Sequence, residues 1–169
     1  GGYYSYDEPH RPEFRGESDY QGQVLHPQFW PEDLDYRGKR VVVIGSGATA
    51  MTMVPSMTQN GAKVTMVQRS PTYVVSRPAE DKIANLLRRW LPERWAYAIT
   101  RLKNTTLSGY FYRQTRTQPE KTKAQLLQMA TANLGEEMVK AHFTPSYNPW
   151  DQRMCLIPNG DLYQAINDG

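Results

Sequence analysis

The pattern of apolar and polar residues is clearest between residues 40 and 68. Residues 40–44 read RVVVI, a short apolar run that is typical of a parallel strand buried on both faces. Residues 48–60 follow a helical pattern that Asn60-Gly61 ends, because this pair favours a left-handed cap. Residues 63–68 alternate and include β-branched side chains, which predicts a second strand. Together these segments predict a βαβ unit.

A helical block follows the second strand. Apolar residues recur at helical spacing up to Pro92 and again in two later stretches, the last of which Gly135 ends. We therefore predict helices over most of residues 80–142. A short strand over residues 154–157 and a helix from Asp161 complete the prediction.

The first 36 residues differ from the rest. They mix Gly, Pro, Asp and aromatic residues with no sustained period, and the aromatic residues argue against a disordered tail. We divide the chain into residues 1–36 and a domain over residues 37–169. Because this domain has few predicted strands for a doubly wound sheet, which usually has about six, we expect the chain to be a piece of a longer polypeptide.

Composition excludes several classes of protein. The single cysteine, Cys155, excludes a disulfide framework and fits a reducing compartment, so we predict a cytoplasmic protein. No run approaches the roughly 18 apolar residues of a membrane span. The net charge of +3 suits an anionic small molecule, and the basic helical block carries no nucleic-acid recognition motif. We predict no membrane span, no nucleic-acid partner and no metal site.

A glycine-rich turn lies between the first predicted strand and helix. Gly45-Ser46-Gly47-Ala48-Thr49-Ala50 matches the dinucleotide-binding pattern G-x-G-x-x-G/A. In that pattern the first glycine permits a tight turn, the second lets the backbone approach a pyrophosphate at the helix N-terminus, and the final small residue allows close helix–strand contact. The alternative is a glycine turn in an unrelated α/β protein.

The second predicted strand ends at Gln68-Arg69-Ser70. An NAD site has an acidic residue there for the ribose hydroxyls, whereas an NADP site has a cation for the 2′-phosphate. Arg69 offers a planar fork that grips phosphate through two bonds, and Ser70 adds a hydroxyl. These residues predict NADPH as the cofactor. The alternative is that Arg69 is a solvated surface residue.

A third pattern precedes the first strand. Tyr20, Gly22, His26 and Trp30 fit aromatic-x-G-x-x-x-H-x-x-x-W. Taken alone, His26 is more often a hydrogen-bonded structural residue than a catalyst, and Trp30 is more often a core residue.

These motifs together resemble the NADPH-binding part of class B flavoprotein monooxygenases, the family of Baeyer–Villiger and flavin-containing monooxygenases. Residues 20–30 resemble the Baeyer–Villiger fingerprint, with Tyr20 in place of the usual Phe. The stretches IGSGATA, QRSPTYV and YNPWDQRMCLIPNGDLYQAI resemble the ethionamide monooxygenase-like subgroup. The implied fold is α/β, a Rossmann-like NADP-binding domain with a helical insertion, in a flavoprotein with two dinucleotide-binding domains.

The resemblance implies a function for the longer polypeptide. NADPH reduces FAD, and one oxygen atom from O2 is inserted next to a ketone carbonyl or added to a sulfur or nitrogen substrate. The partner is the FAD domain of the same polypeptide, which holds most of the FAD, and residues 1–36 are the linker from it. The present chain alone is then inactive.

The resemblance also assigns a catalytic residue. Arg153, in the stretch WDQR, falls where the family has an arginine that lies by the flavin and stabilises negative charge there. Gln152 stands where many relatives have a lysine for the 2′-phosphate, which leaves more of that task to Arg69. The alternative for Arg153 is a structural ion pair with Asp151 or Asp161. The alternatives for the whole protein are a flavin-independent NADPH reductase or dehydrogenase and a non-catalytic dinucleotide sensor.

Overall fold

The computed structural model describes residues 5–169 and divides into two compact units, one ending at Tyr36 and one spanning Arg37–Gly169. In the first unit, the described residues form two short 3₁₀ turns, Glu17–Asp19 and Pro27–Phe29, within irregular chain. The irregular character predicted for this segment therefore holds over its described part.

The second unit contains four strands and six helices. In chain order they are β1 (Arg40–Ile44), α1 (Ala48–Gln59), β2 (Lys63–Val67), β3 (Tyr73–Arg77), α2 (Lys82–Trp90), α3 (Glu93–Thr117), α4 (Pro119–Leu134), α5 (Glu136–His142), β4 (Met154–Pro158) and α6 (Asp161–Asp168). The predicted helical block is confirmed and consists of α2 to α5. Among the described residues, no helix has the length and apolar content needed to cross a membrane.

The predicted βαβ unit is confirmed. β1 and β2 pair in parallel, and α1 connects them and ends before Gly61, which has φ +87°. The predicted burial of β1 on both faces is wrong. Val42 is 59% exposed and Ile44 63% exposed, because α1 packs only on the opposite face, where Val43 contributes to the core.

β3 was missed in the sequence, although it forms the second parallel pair with β4. Its residues Tyr73, Val74 and Val75 are all buried, so they show no alternation. Val74 joins the larger core cluster, while Tyr73 and Val75 join a second cluster with Leu126 of α4. β3 is thus packed on both of its faces.

The larger core cluster unites the second unit. It joins α1, the two strands β3 and β4, and the helices α4 to α6. Its buried members are Met51, Val54, Val74, Ala130, Val139, Phe143, Cys155, Ile157, Leu162 and Tyr163. This packing brings the start of β4 next to the turn between β1 and α1.

Candidate functional site

The turn between β1 and α1 is shaped by its first glycine. Gly45 has φ +135°, a conformation that side-chain-bearing residues rarely adopt, and its N–H donates to the carbonyl of Val67 at 2.8 Å. The bond joins the ends of β1 and β2. Glycine is therefore required at position 45 by the backbone itself.

The second glycine is not required by the fold. Gly47 has φ −84°, which any residue can adopt, and a Cβ built there would meet no atom within 4 Å. It lies at the N-terminus of α1, where no side chain caps the helix and no acidic residue occupies the first turn. The open backbone and the uncapped N–H groups fit an anionic group approaching the start of α1. Ala50 is buried, as close packing of this helix requires.

Hydrogen bonds among Ser46, Ser70 and Arg153, which we call the tie, join three segments beside the carboxyl ends of β1 and β2. The Ser46 hydroxyl is buried, donates to the Ser70 carbonyl at 3.4 Å, and accepts from the Arg153 guanidinium at 3.0 Å. The same guanidinium nitrogen of Arg153 lies 3.4 Å from the Ser70 carbonyl. The glycine turn, the segment after β2 and the start of β4 are therefore held together, and the Ser46 side chain is used in this contact.

Arg69 stands beside the tie. It is exposed, and within residues 5–169 no hydrogen bond or ion pair engages its side chain. Its neighbour Gln68 is bound elsewhere, since its side-chain nitrogen donates to the His142 carbonyl at 2.6 Å. A cation available to an anionic ligand thus lies at the carboxyl end of β2, where the sequence predicts one.

Within residues 5–169, Arg153 forms no ion pair with Asp151 or Asp161. Asp151 pairs with Arg116 at 2.6 Å, and the Asp161 carboxylate accepts from the N–H of Leu162 at 2.7 Å. Arg153 is exposed and its side chain is directed to the tie with Ser46 and Ser70. It keeps further N–H donors for another group.

Sequence reasoning missed the residues that hold the main chain of Arg153. The Arg153 carbonyl lies 3.2 Å from the hydroxyl of Thr72 and 3.0 Å from that of Tyr147, and these two hydroxyls are 3.1 Å apart. Thr72 is fully buried. The Tyr73 hydroxyl in turn donates to the Tyr147 carbonyl at 2.5 Å. The available signal was the group of hydroxyl residues in SPTY and SYNPW, two stretches far apart in sequence.

Burial changes the acidity of nearby groups. Burial first, then the neighbouring Tyr147, raises the pKa of Tyr73 to about 12. Burial also raises the pKa of the Cys155 thiol above its usual value, although the positive charge of Arg153 opposes this. Both groups therefore stay protonated at neutral pH, and Cys155 has no activated thiolate.

The fingerprint residues belong to the first unit, where their contacts are local. His26 Nδ1 accepts from the N–H of Gln28 at 3.2 Å and so caps the turn Pro27–Phe29. Trp30 packs edge-on against Tyr36 with ring centroids 5.9 Å apart. A Cβ on Gly22 would collide with the ring of Tyr20, which explains the pairing of an aromatic residue with glycine.

Comparisons with known proteins identify the family. A model of the "FMO-like: Flavin-binding monooxygenase-like" family matches residues 1–139. The chain belongs to the flavin-binding monooxygenase-like family. Its sequence is similar to the FAD-containing monooxygenase EthA of Mycobacterium tuberculosis (strain ATCC 25618 / H37Rv), at 52% identity over 99% of this chain and 35% of EthA. The predicted family resemblance is confirmed.

Solved structures of monooxygenases share the fold. An oxidized steroid monooxygenase bound to NADP matches with a TM-score of 0.66 and 19% identity, over 94% of this chain and 37% of that one. A complex of OTEMO with FAD and NADP also gives 0.66, at 18% identity, over 95% and 38%. The predicted Rossmann-like α/β fold is confirmed. The chain spans about a third of the length of these family members.

Proposed function

We propose that this chain is the NADPH-binding part of an FAD- and NADPH-dependent monooxygenase. The complete protein adds one oxygen atom from O2 to a ketone, as in a Baeyer–Villiger reaction, or to a sulfur or nitrogen substrate. Family membership supports this activity, and so do the names of relatives that contain FAD or bind NADP. The observation that carries the nucleotide assignment is Gly47, a glycine that the fold does not need.

The residues at the edge of β1 and β2 have separate tasks in this proposal. The pyrophosphate of NADPH binds the N–H groups at the start of α1, beside Gly47, where the helix dipole favours negative charge. The Arg69 guanidinium binds the 2′-phosphate, and the Ser70 hydroxyl adds a donor. Ser46 keeps both segments in place through its bonds to Ser70 and Arg153.

NADPH and FAD supply the hydride transfer and the activation of O2 when they are bound. Arg153 supplies a permanent positive charge at this edge, and the tie with Ser46 fixes one of its nitrogens. Its remaining donors serve the cofactors, so that negative charge arising during oxygenation is stabilised without reorganisation. Thr72 and Tyr147 act through Arg153 as positioning residues.

The rest of the polypeptide completes the enzyme in this proposal. Because the chain spans about a third of its relatives, most contacts with FAD come from an FAD domain elsewhere in the same polypeptide. Residues 1–36 are the connection from that domain, and Tyr20, Gly22, His26 and Trp30 are its fingerprint. The single, buried Cys155 suits a cytoplasmic location.

Two other functions share part of the site. A flavin-independent NADPH reductase or a non-catalytic dinucleotide sensor would also use Gly47 and Arg69. Neither gives a reason for the fingerprint in the first unit, and family membership favours the flavoenzyme. Flavin content of the purified native polypeptide separates these functions, because only the flavoenzyme contains stoichiometric FAD.

Titration of the native polypeptide with NADPH and NADH tests the nucleotide site. Arg69→Ala should remove most of a preference for NADPH, worth about 1.5–3 kcal/mol, by weakening NADPH alone. Gly47→Ala should weaken both nucleotides and change the free energy of unfolding by no more than about 1 kcal/mol, because its backbone and surroundings accept a methyl group. Arg77→Ala is the matched control, since Arg77 is an exposed arginine at the end of β3.

Two results would contradict the assignment. Equal loss of NADPH and NADH in Arg69→Ala would show that Arg69 does not bind the 2′-phosphate. Unchanged nucleotide affinity in Gly47→Ala would show that no pyrophosphate approaches this turn.

A further inference from the structure

The α2–α3 hairpin carries an apolar face that is exposed. Ile83, Leu86 and Trp90 are spaced i, i+3 and i+7 on α2, so they form one stripe along that helix. They are 55%, 55% and 80% exposed. Large apolar side chains are more often buried, and three exposed ones along a single stripe form an apolar patch.

α3 adds a second stripe. Trp95, Ile99 and Leu102 are spaced i, i+4 and i+7, and they are between 42% and 69% exposed. The helix therefore exposes large apolar side chains along its first three turns.

The two stripes lie on the same side of the hairpin. Only two residues separate the helices, and Asp81, which caps α2, forms an ion pair at 2.5 Å with Lys103, ten residues into α3, so the helices run antiparallel. The two helices contact each other, and Ala84 of α2 and Ala96 of α3 are both buried. Counted from these buried residues, the α3 stripe lies about a quarter-turn away and the α2 stripe about a third of a turn away. Both stripes are displaced in the same rotational sense, which places them on one side of a pair of antiparallel helices.

The charged residues of the hairpin indicate which kind of partner covers this apolar face. Residues 81–103 contain two acidic residues, Asp81 and Glu93, and six basic residues: Lys82, Arg88, Arg89, Arg94, Arg101 and Lys103. Because Lys103 pairs with Asp81, five cations remain against Glu93. Lys82 and Arg89 flank Leu86 at i−4 and i+3, and the Arg94 guanidinium lies 5.7 Å from the centre of the Trp95 ring at the hairpin tip. Tryptophan and arginine beside an aliphatic stripe are typical of helices that lie in a membrane interface.

We propose that this face, Ile83, Leu86, Trp90, Trp95, Ile99 and Leu102, docks the protein onto a bilayer surface rich in anionic phospholipids. The apolar side chains enter the boundary between headgroups and acyl chains, and the flanking cations remain at the phosphates. A buried contact with another protein domain suits the charges less well, because the centres of protein interfaces are depleted of charged residues.

Vesicle sedimentation of the native polypeptide, with its cofactors bound, tests this proposal. We expect binding to phosphatidylcholine vesicles that contain phosphatidylglycerol, little binding to pure phosphatidylcholine, and weakening by salt. Leu102→Ser should lower the partition coefficient, and Leu86→Ser with Trp90→Ser should lower it by about tenfold or more. Leu107→Ser is the matched control, because Leu107 is 59% exposed on the same helix but off the stripe.

A charge variant keeps the test independent of the apolar substitutions. Lys82→Gln with Arg89→Gln leaves the apolar face intact and should reduce the difference between anionic and neutral vesicles. The proposal is overturned if the native polypeptide does not bind anionic vesicles, or if Leu102→Ser and Leu107→Ser bind equally. It is also overturned if the stripe variants change the oligomeric state or the free energy of unfolding instead, because a second copy or the rest of the polypeptide then covers the face. NADPH affinity of the same variants is measured independently of vesicle binding. Failure of the membrane proposal therefore leaves the nucleotide assignment to its own test.

Discussion

Removing the hydroxyl groups of Thr72 and Tyr147 tests whether these two residues position Arg153. In Thr72→Val, a change of almost equal volume, the Tyr147 hydroxyl still reaches the Arg153 carbonyl at 3.0 Å. In Tyr147→Phe, the Thr72 hydroxyl still reaches it at 3.2 Å. Each single change therefore leaves one hydroxyl donor in place and should cost about 1 kcal/mol of the free energy of unfolding, the net value of one hydrogen bond.

The double variant behaves differently, because it removes both hydroxyl donors from the Arg153 carbonyl. A polar group left without its partner costs about 1–3 kcal/mol where water does not replace that partner, and the fully buried Thr72 leaves no water on its side of the carbonyl. We expect Thr72→Val with Tyr147→Phe to cost about 3 kcal/mol or more, so that the two changes are coupled by about 1 kcal/mol or more. Chemical denaturation of the native polypeptide, both single variants and the double variant gives this coupling.

The same variants separate positioning from general stability. Tyr163→Phe is the control, because the buried Tyr163 hydroxyl donates to the Val74 carbonyl at 2.7 Å and makes no contact with Arg153. The double variant should weaken NADPH binding and slow turnover, whereas Tyr163→Phe should lower only stability. Additive free energies of unfolding, together with equal effects of the double variant and the control on NADPH, would refute the positioning role.

Three further predictions concern the charge, the core and the pH response. Arg153→Ala in the native polypeptide should slow oxygenation by about 10²-fold or more, with partial rescue by lysine, and rapid kinetics that show only weaker NADPH binding would remove the catalytic role. Leu162→Ala should lower the free energy of unfolding by about 2–5 kcal/mol, since Leu162 is fully buried, and a smaller loss in denaturation would mean that the core collapses into the cavity. Burial raises the pKa of Tyr73 and of Tyr163 to about 12, so the stability they contribute is complete below pH 10 and is lost as the pH rises from about 10 to about 12. The difference in phenolate absorbance between the native polypeptide and Tyr163→Phe isolates Tyr163, and a difference that appears near pH 10 in the folded protein would contradict this last prediction.

Local patterns predict the glycine turn and its flanking elements well. The bounds of β1 and the left-handed Gly61 follow from residues close in sequence, because a strand, a tight turn and a helix cap are each specified locally. Arg69 could also be predicted as an available cation, since it follows the second strand of the unit directly. The exposure of Val42 and Ile44 could not be predicted, because it depends on what packs against the second face of the sheet.

Long-range contacts account for what the sequence did not reveal. β3 lacks an alternating pattern because both of its faces are packed, and prolines lie just outside it at 71 and 78. The bond from Thr72 to the Arg153 carbonyl connects residues 81 positions apart, and no local period records such a pair. Tyr147 packs against the second core cluster, and this contact also depends on the long-range pairing of β4 with β3.

The order in which the chain closes has a kinetic consequence. The unit from β1 to β2 is local, whereas Arg153 reaches Ser46 across 107 residues and β4 must pair with β3 beyond the whole helical block. Loop-closure entropy makes such distant pairing slow relative to local elements, so contact order places β4 among the late steps of folding. The glycine turn and Arg69 can form early in synthesis, but the tie that joins them to Arg153 cannot exist until residue 153 has been translated. If the proposed function holds, a folding intermediate that already has the β1–α1–β2 unit binds NADPH weakly, and full affinity depends on the final pairing of β4 with β3.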